Sequence, residues 1–142
     1  MWTLVAEFRV PGEPKAQPRI HVVKGGHAYT PNSAKGFKER VHWEAKNCCP
    51  QPIGDSATPI RVDITFYLRR PKRLCRKRDP QGPLYATKKP DRDNLDKSVL
   101  DALVGAGVII DDAQVVSGQL EKYYHAVGEG PGVSISIYKQ EE

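Results

Sequence analysis

The strictest pattern in this sequence is the alternation in residues 60–68, IRVDITFYL. Apolar and polar side chains take turns along it: Ile60, Val62, Ile64 and Phe66 on one side, Arg61, Asp63 and Thr65 on the other. Successive side chains of a strand point to opposite faces of a sheet, so one face of this strand is expected to be buried and the other to stay polar. The chain must therefore build a sheet with at least one covered face.

The segments around this strand alternate between strand and helix patterns. We predict further strands at 3–10, a hairpin over 19–30 around Gly25-Gly26, a strand at 113–127 and another at 132–140, the last two joined by the GEGPG turn. Helices are predicted at 31–49, capped by Asn32 or Ser33, and at 93–107, ended by Gly105 or Gly107, with a buried stripe of Leu95, Val99, Ala102 and Leu103. This order predicts an α+β fold with a small mixed or antiparallel sheet, two main helices and mainly hairpin connections.

Length and composition set the outer limits of the interpretation. A chain of 142 residues is predicted to form a single domain, residues 1–142. No apolar run reaches the roughly 20 residues that cross a bilayer, and the first ten residues lack the features of a signal peptide. We therefore expect a cytoplasmic protein without a membrane partner, in which Cys48, Cys49 and Cys75 are reduced thiols.

Positive charge is concentrated in one segment. The chain carries a net charge of +5, but residues 69–92 alone carry +8. Their ten basic side chains are the predicted DNA contacts: Arg69, Arg70, Lys72, Arg73, Arg76, Lys77, Arg78, Lys88, Lys89 and Arg92. The prolines of this segment predict a long loop or flap over about 69–90, and its charge favours a nucleic-acid partner over the alternative of a solvated basic loop.

Carboxylates follow directly after the basic segment. Asp91 and Asp93 stand two residues apart at the start of the second helix, and Asp111 and Asp112 follow it, where a strand is expected to begin. Carboxylates brought close together repel one another unless a cation relieves the repulsion, and hard oxygen ligands suit Mg²⁺ or Mn²⁺. Lys97, one helical turn after Asp93, is placed to neutralise charge on a phosphoryl oxygen. The combination is typical of a metal-dependent nuclease.

Plainer interpretations of these residues remain open. Asp91 or Asp93 can cap the helix, and Lys97 can simply bridge Asp93 and Asp101. The chain would then be a non-catalytic module that binds branched DNA, a nucleotidyltransferase or a structural phage protein. There is no Walker A sequence, no G-x-G-x-x-G and no zinc-finger spacing, so neither a nucleotide cofactor nor zinc is expected. Exposed aromatic residues could stack on bases, although core packing is the commoner role: Trp2, Trp43, Tyr85, Tyr123 and Tyr124.

The stretch PDRDNLDKSVLDALVGAGVIIDDAQVV, residues 90–116, closely resembles the signature of the RusA family of Holliday junction resolvases. The order D-x-D-N-L-x-K, then D-A-L, then D-D-x-Q-V is reproduced with its spacing, and residues 19–41 are similar to the phage branch of that family. The resemblance implies a homodimeric α+β endonuclease that cuts four-way DNA junctions symmetrically with Mg²⁺, or with Mn²⁺ in its place, in a bacterial cell or a phage-infected host.

Carried over residue by residue, the resemblance assigns roles to the acidic stretch. Asp91, Asp93 and Asp112 match the catalytic metal ligands, and Lys97 matches the essential lysine. Asp111 matches a position of less defined role that is a further possible ligand, and Asn94, Asp101 and Gln114 match signature positions that can be structural. The basic residues here are spread out instead of forming a compact run before the first aspartate, which leaves open a nuclease for other branched or flapped DNA.

Overall fold

The computed structural model describes residues 1–18, 21–22, 25–26, 28–29 and 33–141. Its strands are β1 (Trp2–Pro11), β2 (His21–Val22), β3 (Ala28–Tyr29), β4 (Ile60–Leu68), β5 (Leu84–Tyr85), β6 (Val115–Ser117), β7 (Leu120–Tyr124) and β8 (Gly132–Gln140). Its helices are α1 (Lys35–Cys48) and α2 (Arg92–Gly105), with short 3₁₀ turns at Lys72–Leu74 and Asp112–Gln114. No helix in these ranges is long and apolar enough to cross a membrane.

A mixed sheet of six strands forms the centre of the fold, and it confirms the predicted α+β class. The strand order is β1-β8-β4-β7-β5, and the short β6 also pairs with β4. β8 is antiparallel to both β1 and β4, whereas β7 runs parallel to β4. The small hairpin predicted around Gly25-Gly26 is present as β2 and β3.

The prediction of mainly hairpin connections is wrong for the main sheet. β7 and β8 follow each other in sequence, but β4 lies between them. The reason is that α2 forms the crossover from β4 to β7, and a helical crossover returns the chain parallel to the first strand. β4 therefore becomes an interior strand with β8 and β7 on its two sides.

One face of the sheet is covered, as the alternation in β4 predicted. Every second residue of β4, from Ile60 to Leu68, is buried, and those between are half-exposed. Both helices contribute to the same core: Phe37, Val41 and Ala45 from α1, and Leu95, Val99, Ala102 and Leu103 from α2. The predicted stripe of α2 is confirmed, with Ser98 buried beside it. The opposite face of the sheet carries the polar side chains of β4.

Boundaries differ from the predictions where backbone geometry decides them. α1 begins at Lys35 behind Ala34, so Ser33 does not cap it, and Asn32 lies outside the described residues. α2 ends at Gly105, and Gly107 follows with a φ of +75°, a conformation that glycine adopts without strain. The strand expected over 113–127 is interrupted at Gly118, where a Cβ atom would collide with the carbonyl oxygen of Val62.

Candidate active site and nucleic-acid interface

Asp91 and Asp93 lie at the N-terminal end of α2. Asp91 has an extended backbone and occupies the cap position, but its carboxylate makes no capping hydrogen bond. Its Oδ2 atom instead accepts a hydrogen bond from Lys89 Nζ at 3.0 Å. Asp93 is exposed in the first turn, where the partial positive charge of the helix terminus favours a carboxylate. Simple helix capping by Asp91 therefore does not describe its side chain.

Strand β7 holds the chain that leads into Asp91. The ammonium group of Lys122 donates to the carbonyl oxygens of Lys88 at 2.7 Å and Pro90 at 2.8 Å. One step earlier, the Ala86 N–H donates to the Lys122 carbonyl at 3.0 Å. The sequence analysis missed Lys122, because in a strand pattern it is one more polar residue. These bonds fix the approach to Asp91 from both the backbone and the side chain of one residue.

Lys97 shares an ion-pair network with both helices. Its Nζ lies 3.4 Å from Asp101 Oδ1, and Asp101 Oδ2 lies 3.5 Å from Lys38 of α1. Lys97 thus pairs with Asp101, as one of the plainer interpretations held, but its side chain remains 57% exposed. A half-exposed pair of this kind contributes about 0.3–0.5 kcal/mol, so it orients Lys97 without holding it firmly.

Asp96 is an acid near the start of α2 that the sequence analysis did not select. It is half-buried against β6 and the turn at Gly118, beside Val62 and Val115. Burial raises the pKa of its carboxyl, Arg92 opposes the rise, and the charge of Asp93 adds to it. The spacing of three from Asp93 was the available signal, since residues three apart are neighbours on a helix.

Asp111 and Asp112 begin a 3₁₀ turn, which corrects the prediction that a strand begins there. The Asp111 carboxylate accepts from the Ala113 N–H at 3.0 Å, and a hydrogen bond with Asp112 assists in lowering the pKa of Asp111. Gln114 completes a reciprocal cap by accepting from the Asp111 N–H at 3.0 Å. Asp111 thus has a structural task, whereas Asp112 is exposed beside it.

Gln114 fixes this turn against the rest of the protein. Its side chain is buried, and its amide nitrogen donates to the carbonyl oxygens of Asp55 at 2.7 Å and Thr58 at 3.0 Å. The position of Asp112 is therefore set by a satisfied buried amide, in line with a structural role for Gln114.

The acids predicted to share a metal ion do not meet within one chain. Among the residues the structure describes, no group of three or more His, Cys, Asp or Glu side chains could hold a metal ion. Asp93 lies in the first turn of α2, whereas Asp112 borders a shallow depression with Val104 and Gly105 of its last turn. A helix rises about 1.5 Å per residue, so these ends are on the order of 15 Å apart. β6 and β7 then span the same length to bring Lys122 back to Pro90.

The basic segment is largely irregular, as its prolines predicted, and nine of its ten basic residues are exposed. Arg70 is the exception and the DNA-binding prediction for it is wrong. Its side chain is buried, and its guanidinium donates to the carbonyl oxygens of Leu74, Pro80, Gly82 and His125 at 2.5–3.4 Å. Carbonyls of the loop thus satisfy Arg70, which anchors the segment that carries the other cations.

Comparisons with known proteins agree with this geometry. The sequence profile of the family described as "Endodeoxyribonuclease RusA" matches residues 11–138. A protein of Bacillus subtilis (strain 168), the uncharacterized protein YqaN, is 34% identical over 139 residues, covering 92% of this chain and 94% of that protein. The fold and site define a small α+β nucleic-acid-processing protein. The chain belongs to the RusA family of endodeoxyribonucleases.

Proposed function

We propose that the protein is a metal-dependent, structure-specific DNA endonuclease that resolves four-way junctions by paired symmetric cuts, in DNA recombination, repair or phage DNA processing in the cytoplasm. The observation that carries the proposal is the family match over residues 11–138, together with an exposed acidic helix end directly after an anchored basic segment.

The donor chemistry fits Mg²⁺, with Mn²⁺ as a substitute. Asp91, Asp93 and Asp112 offer hard carboxylate oxygens, with Asp111 as a further candidate, and these are the ligands that such cations prefer. When bound, the cation would supply an activated water and charge neutralisation at the phosphate. The placement in one chain does not suffice, because Asp112 is at the other end of α2 from Asp91 and Asp93.

A homodimer resolves this mismatch. A second copy related by a two-fold axis can present its own Asp112 to the Asp91 and Asp93 of the first, and symmetry then makes two equivalent sites. Two sites on one axis also suit a junction of nearly two-fold symmetry. We therefore propose that the active centre is composite, with acids from two chains.

The remaining residues of the site position the substrate. The exposed cations of residues 69–92 contact backbone phosphates, which provide affinity without sequence information. Lys97 faces solvent one turn from Asp93 and stabilises negative charge on the phosphoryl oxygens as the bond breaks. Lys122 keeps Asp91 in register by holding the carbonyls of Lys88 and Pro90.

Cleavage of a labelled synthetic four-way junction tests the proposal. A duplex and a splayed arm of the same sequence run beside it, each with Mg²⁺ and with EDTA, for the wild type and Asp93→Asn. The proposal requires metal-dependent paired nicks on the junction that the variant loses while it still binds. Tight binding without cleavage in Mg²⁺ or Mn²⁺ identifies a binding module, and cleavage of the splayed arm alone identifies a nuclease for other branched DNA.

A further inference from the structure

Three tyrosines form a continuous stack on the polar face of the sheet. The rings of Tyr85 and Tyr123 lie 4.8 Å apart with an interplanar angle of 21°, and those of Tyr123 and Tyr67 lie 6.0 Å apart at 22°. The guanidinium of Arg9 covers the far end, 4.8 Å from the centre of the Tyr67 ring. The register explains the row, because Tyr67 pairs with Tyr123 and Tyr123 with Tyr85.

Only the first ring of this stack has an open face among the described residues. Tyr85 belongs to β5, the edge strand, so its ring has Tyr123 on one side and no further strand on the other. It is 69% exposed, whereas Tyr67 and Tyr123 are half-buried. A large aromatic ring stacked from behind and open in front is a platform for another flat π-system.

The stack is rigid and uncharged. The Tyr123 hydroxyl donates to Glu121 Oε2 at 2.6 Å, and this bond raises the pKa of Tyr123 well above its ordinary value. The hydroxyl therefore stays protonated and the ring stays neutral behind Tyr85. Tyr85 itself lies on a backbone that β7 pairs directly, so its ring orientation is fixed before any ligand arrives.

The charge around Tyr85 favours a nucleic-acid partner. Tyr85 is part of the segment with a net charge of +8, and the exposed Lys88 and Lys89 follow it closely. Asp91 comes six residues later, which places it within about 20 Å. Since Lys122 holds the chain between them, a group stacked on Tyr85 sits at a fixed distance from the end of α2.

We propose that Tyr85 is a stacking platform for an unpaired or unstacked DNA base at a branch point, and that it sets the position of the branch relative to the cleavage site. A base in an intact duplex has both faces covered, so the platform selects branched over continuous DNA, while the surrounding cations bind either. This inference rests on the proposed function and adds the residue that recognises the branch.

Affinity measurements in EDTA test the platform without cleavage. Fluorescence anisotropy would compare a four-way junction, a splayed arm and a duplex of equal length for the wild type, Tyr85→Ala, Tyr85→Leu and Tyr85→Phe. Stacking on one base is lost in the first two variants, so we expect branched DNA to bind at least about fivefold more weakly and duplex affinity to be unchanged. Tyr85→Phe keeps the ring and should match the wild type.

Trp43→Ala provides a matched control, because Trp43 is an exposed aromatic residue on α1, 61% accessible, outside the basic segment. It should leave all three affinities unchanged. Circular dichroism of every variant checks the fold, and Tyr85→Leu retains an apolar contact with Tyr123 if Tyr85→Ala unfolds β5.

Each outcome decides the inference separately from the proposed function. Equal loss on duplex and branched DNA, loss in Tyr85→Phe, or no loss in Tyr85→Ala and Tyr85→Leu would overturn the platform. So would a change of sedimentation coefficient in Tyr85→Ala, which would place the ring in a protein interface. If the wild type never cleaves a junction in Mg²⁺ but the stacking pattern holds, the inference stands and the proposed catalysis fails.

Discussion

At the N-terminal end of α2, Asp91 and Asp93 make no cap for the helix, and the chain leading into them is held by Lys122 of β7. At the C-terminal end, Asp111 caps a 3₁₀ turn that a buried Gln114 fixes in place, and Asp112 stands exposed beside it. The same side chain is thus structural at one position and unconsumed at its neighbour. The comparison teaches that local hydrogen bonding, and not residue type, separates structural acids from candidate ligands.

The largest effect is expected from removing acids on the ligand side of this comparison. Asp93→Asn and Asp112→Asn should each reduce junction cleavage in Mg²⁺ by about 100-fold or more, because each loses an anionic donor, while binding in EDTA persists. Asp111→Asn retains an oxygen that can cap the turn and should cleave nearly as well as the wild type. Single-turnover cleavage rates measure all three, and an inactive Asp111→Asn would break the division.

The next effect concerns the basic segment. Arg70→Ala should lower the free energy of unfolding by about 2–4 kcal/mol, because carbonyl oxygens at the base of the loop lose their donor. Arg73→Ala, at an exposed position three residues on, should leave stability unchanged but weaken DNA binding and reduce its salt slope by about 1. Urea unfolding and anisotropy over a salt series measure the pair. Equal stabilities for both variants would show that Arg70 is not an anchor.

A smaller effect separates Asp111 as a cap from Asp111 as a ligand. Asp111→Ala should destabilise the protein by about 1 kcal/mol, since it removes the acceptor of the Ala113 N–H. Asp111→Asn should be within a few tenths of a kcal/mol of the wild type. Thermal unfolding without metal measures both, and equal losses for the two variants would contradict the capping role.

The smallest expected effect depends on pH. Because burial raises the pKa of Asp96 in the folded protein, the folded state binds its proton more tightly than the unfolded chain does. Stability from this group is fully present below the unfolded pKa and is lost as pH rises through the folded value. Asp96→Asn should therefore raise Tm at pH 7 by at most about 2 °C, with the gain vanishing towards pH 3. A destabilising effect at pH 7 would show that the charged carboxylate is needed.

The sequence predicted the elements better than their arrangement. The period-two burial of β4 and the buried stripe of α2 follow from local periodicity and are confirmed. The parallel pairing of β7 with β4 was missed, because adjacency in a sheet depends on the crossover through α2 and leaves no mark in either strand.

The candidate site shows the same limit. Asp91, Asp93, Lys97 and Asp112 were selected from their spacing, but spacing along a helix gave no warning that two of them lie at its opposite ends. Arg70 is indistinguishable by type from its exposed neighbours, and only the carbonyls around it reveal its task. Lys122 could not be found at all, since its partners are backbone atoms about thirty residues away.

Subunit complementation tests the central claim, that the metal site takes its acids from two chains, most directly. Asp93→Asn and Asp112→Asn would be unfolded together, refolded as a mixture and assayed on the four-way junction in Mg²⁺. A composite site predicts recovery of nicking to about a quarter of wild-type sites, because a mixed dimer keeps one intact pair of chain ends. A mixture as inactive as either parent would contradict the account, since sites built within single chains leave no intact copy in any dimer.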